Sequence, residues 1–248
     1  VNAGDAQRLL ADAADLLADA THCAAFSCAL ADAGDVIQGV QLIPAGGGRA
    51  MLVMLTAGGR IKSSICRLSC PADDGFMAAF YDVMHSTFIG TRLSDVSIAT
   101  VQSTAVTLGS RIFDMLPVLS SLCALCAETR QDSLLFAGET NLLSHEELGN
   151  EVYKLLTFLT NRPRFLTLAK QFADAPARSA LFIGEENPYF ELKNTATMLC
   201  SLHYNSQQRA VLGVIGSTRM DYATIVPRAQ YIMNKTTDLL AEGGITNG

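Results

Sequence analysis

Segments with the pattern of β-strands occur at both ends of the 248-residue chain, and a long helical block separates them. The first β-rich part spans residues 1–70, the helical block residues 71–178 and the second β-rich part residues 179–248. Each β-rich part is too small to form a stable sheet alone, because a sheet needs several strands and a second layer against its apolar face. This order predicts an α+β fold in which one domain, an antiparallel sheet with helices, is interrupted by an inserted, mainly helical domain.

The first 70 residues predict a helix followed by an antiparallel meander. Leucines and alanines recur every three or four residues up to Ala20, the spacing of one helix face. Short apolar runs then follow, separated by turn residues, over residues 23–30, 36–43, 49–56 and 60–68. The Gly58-Gly59 pair between the last two favours a tight hairpin, because glycine accepts positive φ.

The remaining strand patterns are shorter. An apolar run at residues 134–137 is predicted as an isolated strand within the helical block. After residue 179, further runs over 181–183, 196–204 and 210–215 predict three strands. Apolar residues with helical spacing from residue 225 to 240 predict a closing amphipathic helix.

Composition and charge exclude several classes of function. Hydrophobic residues make up 49% and charged residues 17%, which is typical of an ordered globular protein. The net charge is −6 and no Lys/Arg cluster occurs, so the chain alone is expected to bind DNA poorly. No uninterrupted apolar run reaches the ~18 residues of a membrane span, which predicts no membrane contact. Seven cysteines in apolar segments indicate a reducing, cytoplasmic setting, and Cys123 and Cys126 are interpreted as small apolar residues.

Residue types that carry catalysis or bind metals lack the required spacing. Glu185 and Glu186 are adjacent, so in a strand they would point to opposite faces, and we interpret them as the acidic opening of a helical turn. The four histidines are scattered, and no phosphate-binding loop or nucleophile motif occurs. We therefore predict no catalytic, cofactor-binding or metal site. The layout of helices and sheet also resembles GAF-type sensor domains, so a stand-alone small-molecule sensor is the alternative.

The most specific motifs of the chain lie in its last third. The longer motif starts at the predicted last strand and consists of Gly213, Val214, Ile215, Gly216, Ser217, Thr218, Arg219, Met220, Asp221 and Tyr222. The shorter one follows an earlier predicted strand and consists of Gly184, Glu185, Glu186 and Asn187. Together they resemble the C-terminal signature of the heat-inducible transcription repressor family, HrcA. Gln41-Leu-Ile-Pro44 and Gly138-Glu-Thr-Asn-Leu-Leu143 are similar to other elements of that family in the same order.

The resemblance implies a three-part repressor of heat-shock chaperone genes. In such a protein an N-terminal winged helix binds an inverted-repeat operator, and a GAF-like domain follows that is split by an inserted dimerisation domain. Residues 1–70 and 179–248 would form the GAF-like domain and residues 71–178 the insertion. The resemblance also implies a cytoplasmic homodimer modulated by chaperonin. The sequence departs from the pattern of this family in two ways. Ser217 stands where the family usually has proline, and no winged helix precedes residue 1. This chain is therefore expected not to repress alone.

Individual roles within these segments are also predicted. Phe76, Phe80, Phe113 and Leu116 are candidate dimer contacts, with the alternative that they form the internal core of the insertion. Thr218 or Asp221 is expected to cap the last helix. Two roles stay open for Arg219: it either holds the turn after the last strand or contacts the DNA-reading domain.

Overall fold

The computed structural model describes residues 3–32, 34–145, 148–204 and 208–245. The strands in this part of the chain are β1 (Ala24–Leu30), β2 (Ile37–Gly46), β3 (Arg49–Thr56), β4 (Ile61–Arg67), β5 (Ser133–Ala137), β6 (Ser179–Ile183), β7 (Thr195–Tyr204) and β8 (Gln208–Ser217). The α-helices are α1 (Ala3–Thr21), α2 (Asp74–Val83), α3 (Ile98–Leu108), α4 (Ile112–Thr129), α5 (Glu151–Thr160), α6 (Arg162–Asp174) and α7 (Tyr222–Ile245). The mixture confirms an α+β fold with antiparallel sheets.

The chain forms two compact units. Unit 1 contains Asp5–Leu30 and the chain from Asp132 onward, and unit 2 contains mainly Ala31–Gln131. Unit 1 therefore holds α1, β1, β5, α5, α6, β6, β7, β8 and α7, and unit 2 holds β2, β3, β4, α2, α3 and α4.

Unit 1 is built on a five-stranded antiparallel sheet in the order β5-β1-β8-β7-β6. Helices α1 and α7 cover one face, where Leu17 and Met233 pack against strand residues such as Val214. Helices α5 and α6 cover the other face, where Phe26 packs against Phe165. Because both faces are covered, all seven residues of β1 are buried.

Unit 2 is built on a three-stranded antiparallel meander in the order β2-β3-β4. Its inner face carries Leu52 and Met54, which pack with Phe80 of α2 and Leu122 of α4. Strand β3 alternates between buried residues and residues that are exposed or half-buried, as expected when helices cover one face only.

The two units divide the chain at residues 30/31 and 131/132, whereas the sequence predicts domain boundaries at residues 70/71 and 178/179. Strands β2, β3 and β4 do not continue a meander from β1 but form their own sheet in unit 2. The run at Ser133–Ala137 is not an isolated strand, because it pairs with β1. The physical reason lies in the side chains: β1 is apolar apart from Ser27 and needs cover on both faces, whereas β2 and β3 alternate and need cover on one.

Candidate protein-interaction site

Gly213 allows an aromatic ring to lie directly on the central sheet of unit 1. In the register of β1 and β8, Phe26 is opposite Gly213. A Cβ at residue 213 would lie 2.2 Å from the Phe26 ring and 2.9 Å from a methyl group of Leu199. The Phe26 ring is held edge-on against Phe165, with ring centroids 4.6 Å apart. The role of Gly213 is therefore to make room for the core of unit 1.

Gly216 has the same role on the opposite face of the sheet. A Cβ there would lie 2.7 Å from the Cys23 Sγ and 3.2 Å from the Met220 Sδ. Both sulfur-containing side chains are buried in the core beneath α1 and α7. Gly216 thus lets the end of β8 and the following turn close over Cys23.

The turn from β8 into α7 is held by hydrogen bonds among its own residues. The Ser217 Oγ accepts a hydrogen bond from the Arg219 backbone N–H at 3.1 Å, and the Tyr222 hydroxyl donates to the Thr218 carbonyl at 2.7 Å. The Asp221 carboxylate accepts from the Thr224 N–H at 3.3 Å, so Asp221 caps α7. Hydrogen bonding from Thr224 also lowers the pKa of Asp221.

Arg219 is exposed within this turn. Among the described residues, its guanidinium makes no hydrogen bond or ion pair, and only its backbone N–H helps to close the turn. The side chain is therefore available to a partner. Of the two roles expected for Arg219, holding the turn is performed by its backbone N–H only.

Gly184, Glu185, Glu186 and Asn187 terminate the edge strand β6. Gly184 has a left-handed φ of 61°, and the Glu186 carboxylate accepts a hydrogen bond from the Ile183 N–H at 2.8 Å. The Asn187 amide donates to the Gly184 and Thr195 carbonyls, both at 3.0 Å. Glu185 points to solvent, 3.7 Å from the Lys193 ammonium. Because the two glutamates serve different backbone and surface contacts, they do not form an acid–base pair.

Gly138 and Asn141 join the end of α1 to the start of β1. Gly138 has a φ of 64°, and a Cβ there would lie 2.6 Å from the Ala18 Cβ. The Asn141 amide donates to the Cys23 carbonyl at 3.0 Å. Gly138, Asn141 and Gly216 therefore meet around Ala18 and Cys23. No sequence pattern indicates these two partners, because each is a small apolar residue without a motif.

Thiol chemistry has little support in the environment of the cysteines. Burial raises the pKa of the Cys28 and Cys126 thiols to about 12 each, so both stay protonated at neutral pH. The Cys126 Sγ lies 3.6 Å from the Met54 Sδ in the core of unit 2. Within the described residues, no group of three or more His, Cys, Asp or Glu side chains could hold a metal ion.

The four predicted dimer contacts fall into two pairs. Phe76 and Phe80 on α2 are buried in the core of unit 2, which agrees with the alternative that they form the internal core of the insertion. Phe113 and Leu116 on α4 are 75% and 46% exposed. Sequence spacing did not separate the pairs, because α2 and α4 are both rich in large apolar residues.

The outward side of α4 forms a surface that we call the α4 stripe. It consists of Phe113, Leu116, Ser120, Ala124 and Ala127, all of them exposed. Their spacing of three or four residues places them on one face, opposite the buried residues of the helix. No charged residue belongs to the stripe. Monomeric proteins rarely leave such a face uncovered, so the α4 stripe is a candidate protein interface.

The second apolar surface of unit 2 is the outer sheet face. In the strand register, Ile43, Met51 and Ile65 lie side by side across the three strands. Ile65 is 73% exposed, and Arg49 lies opposite Arg67 at one end of the face. The outer sheet face is thus a second candidate interface.

Helix α4 also has the length and composition of a membrane span, with 18 residues from Ile112 to Thr129, and it is the one such helix among the described residues. The helix contains Asp114 and Glu128, which is why no uninterrupted apolar run predicts a span. One side of it packs on β3 and β4 through residues such as Leu122. The apolar residues on the inward side of α4 are thus explained by their place in the core of unit 2.

A family model described as the HrcA protein C-terminal domain matches residues 7–226, which is most of the chain. The chain belongs to the HrcA family. The motifs at residues 184–187 and 213–222 both lie in the matched region, which confirms the resemblance seen in the sequence. In this member of the family, both motifs fix the backbone of unit 1.

Curated relatives named heat-inducible transcription repressor HrcA are similar to most of the chain. The relative from Methylobacillus flagellatus is 25% identical over 242 residues, covering 96% of this chain and 69% of the relative. That from Desulforudis audaxviator is 26% identical over 213 residues, covering 84% and 60%. That from Acetivibrio thermocellus is 20% identical over 202 residues, covering 81% and 58%. The chain thus spans between 58% and 69% of the length of these three relatives.

The fold is also similar to a solved structure. A crystal structure described as that of a hypothetical protein superposes with a TM-score of 0.66 at 20% sequence identity, covering 96% of this chain and 70% of that chain. The likeness shows that the two chains share a fold.

Proposed function

We propose that this chain is the dimerising, regulatory core of a transcription repressor of heat-shock chaperone genes. Membership of the HrcA family over residues 7–226 and the names of the relatives support the proposal. Because the chain spans only part of the length of those relatives, DNA binding is assigned to an N-terminal winged helix of the parent protein. The net charge of −6 agrees with this division of labour, since DNA binding depends on positive charge.

In this proposal unit 1 is the GAF-like domain and unit 2 is the inserted dimerisation domain. The strand pairing supports an insertion. Strand β5 pairs antiparallel with β1, and Ala29 lies opposite Ser133. The chain therefore leaves the sheet of unit 1 after Leu30 and returns beside the same strand at Ser133. The intervening residues form their own core, as an inserted domain does.

The observation that carries the dimeric role is the exposure of large apolar side chains on unit 2, above all Phe113 at 75%. A two-fold dimer would hold two winged helices at the spacing of two operator half-sites. Joining the two reading domains also raises operator affinity, because binding of the second becomes intramolecular. In the cytoplasm, chaperonin would shift the conformational equilibrium of the repressor toward the folded dimer. Heat would end this effect by diverting the chaperonin to other client proteins.

A stand-alone small-molecule sensor has weaker support. In unit 1 the space between the sheet and the α5–α6 layer is occupied by the rings of Phe26, Phe158 and Phe165, which contact one another. A ligand would have to displace this cluster to reach the sheet. Self-packing of the interior thus favours the repressor core over the sensor.

Binding to operator DNA tests the proposed function. In a gel-shift assay, the full-length parent protein is expected to bind an inverted-repeat operator upstream of its chaperone genes, more tightly when chaperonin is added. This chain alone is expected to show no specific binding. Specific binding by this chain alone, or none by the full-length protein, would contradict the proposal.

A further inference from the structure

A cavity of about 400 Å³ lies on the surface of unit 1, beside the start of α6. It is bordered by α5, by the residues that open α6 and by the short helical turn Phe190–Leu192. Its size falls within the range of about 300–1,000 Å³ that is usual for small-molecule sites. Neither Phe26 nor Phe165 lines it, so a ligand can enter without displacing the packed interior of unit 1.

Two aromatic rings are exposed at this cavity. Tyr153 on α5 is 69% exposed and Phe190 is 68% exposed, although phenylalanine is usually buried. Both rings line the cavity, one from α5 and the other from the helical turn, and the buried Phe158 ring lines it as well. The cavity therefore offers flat apolar surfaces on which a planar aromatic ring can stack.

The guanidinium of Arg164 is held in a fixed position in the lining. Its central carbon lies 5.5 Å from the ring centroid of Phe158 and 5.1 Å from that of Tyr189, and its Nη1 donates a hydrogen bond to the Glu191 Oε1. Its Nε and Nη2 groups donate no hydrogen bond to any described residue. Such a pair of donors forms the planar fork that binds a carboxylate through two parallel hydrogen bonds.

The charge that a ligand meets in the cavity is positive. Glu191 is the one carboxylate among the described lining residues, and neither of its oxygens is open to a ligand, because Oε1 is bound by Arg164 and Oε2 is buried. The Lys154 ammonium lies 2.8 Å from the Glu151 carboxylate, and 56% of the Lys154 side chain is exposed. Because exposed ion pairs of this kind are weak, Lys154 remains able to attract a second anion. The lining thus favours an anionic ligand.

We propose that this cavity binds a small planar aromatic carboxylate. The aromatic ring lies between Tyr153 and Phe190, and the carboxylate accepts two hydrogen bonds from Arg164 and faces Lys154. Since Arg164 is already fixed by its neighbours, little side-chain freedom is lost on binding. The start of α6 adds the positive end of a helix dipole beside the carboxylate.

The consequence of binding is a more stable unit 1, because the ligand binds the folded state and not the unfolded chain. The site goes beyond the proposed function and does not depend on dimerisation. Its failure in the experiments below would leave the dimeric role standing.

Calorimetric titration with 2-naphthoate tests the class of ligand. The wild-type chain is expected to bind it saturably with a Kd of about 1 mM or below, as is usual for a ligand of about 13 heavy atoms. Two analogues serve as controls: 2-naphthamide lacks the charge, and decahydro-2-naphthoate lacks the aromatic rings. Each is expected to bind about tenfold more weakly. Binding of either analogue as tight as that of 2-naphthoate would contradict the recognition of an aromatic acid.

Variants of the chain test the residues. Phe190→Ala is expected to weaken 2-naphthoate binding about tenfold, whereas Tyr231→Ala, at a 65% exposed ring on the other side of the sheet, should leave the Kd unchanged. Arg164→Gln combined with Glu191→Gln removes the guanidinium without leaving an unpaired carboxylate, and should also weaken binding about tenfold. Circular dichroism checks that each variant is folded. No saturable binding up to about 10 mM, or the same Kd in the wild type and either cavity variant, would overturn the inference.

Discussion

Replacement of Gly213 by alanine tests how the signature segment stabilises unit 1. The added methyl group would lie 2.2 Å from the Phe26 ring, far inside van der Waals contact. The ring has little room to retreat, because it packs against Phe165 and Phe136, with ring centroids 4.6 Å and 6.1 Å away. Relief therefore requires β1 and β8 to separate, and these strands are paired at the centre of the sheet.

The expected magnitude follows from the tightness of the contact. Overpacking a well-filled core costs about 1–3 kcal/mol, and a contact this short between two paired strands belongs at the upper end. We expect Gly213→Ala to lower the free energy of unfolding by about 3 kcal/mol. For a chain of this size that corresponds to a decrease in Tm of about 6–12 °C.

Urea denaturation followed by circular dichroism measures the effect. Gly39→Ala is the matched control in a strand, since a Cβ there meets nothing within 4 Å, and its free energy should change by less than about 1 kcal/mol. Adding Phe26→Leu to Gly213→Ala should recover part of the loss, because the two residues are coupled directly. A Gly213→Ala variant within about 0.5 kcal/mol of wild type would refute the argument.

Further predictions concern single groups. Asn141→Ala leaves buried carbonyls without a donor and should lower the free energy of unfolding by about 1–3 kcal/mol in urea titrations. Hydrogen bonding lowers the pKa of Asp221 below its ordinary value of 3.8, so its contribution is present above that pH and is lost as the pH falls through the lowered pKa. Asp221→Asn should therefore reduce the dependence of Tm on pH below about pH 4, and its Tm should lie below that of the wild type near neutral pH and approach it as the pH falls through the lowered pKa. Arg219→Ala should leave Tm unchanged, since the side chain makes no hydrogen bond or ion pair with a described residue. Cys28 and Cys126 should resist a thiol reagent in the folded chain and react in urea, because their pKa values are about 12; rapid labelling of either would contradict this.

Local structure was largely predictable from the sequence, whereas strand pairing was not. Periodicity located the strands, and Asp221 was one of the two predicted caps of α7. The sheet to which β1 belongs depends on residues 100 and more positions away, which local patterns do not contain. One available indication is that β1 is apolar apart from Ser27 while β2 and β3 alternate, which is the difference between a strand covered on both faces and strands covered on one.

The candidate interface shows a similar limit. Phe76 and Phe80 look as suitable for a dimer contact as Phe113 and Leu116 in the sequence, because all four lie on apolar helices. Which side of each helix meets the sheet is decided by tertiary packing, which buries Phe76 and Phe80 and leaves Phe113 and Leu116 exposed. The glycines at residues 213 and 216 were recognised by motif, but their physical role depends on Phe26 and Cys23.

The mass of the chain in solution tests the central claim most directly. Sedimentation equilibrium over a range of concentrations around 10 μM should give twice the mass of one chain, with a monomer appearing only on dilution or on heating. A species with the mass of one chain at every concentration would contradict the account of this protein as the dimerising core of a repressor.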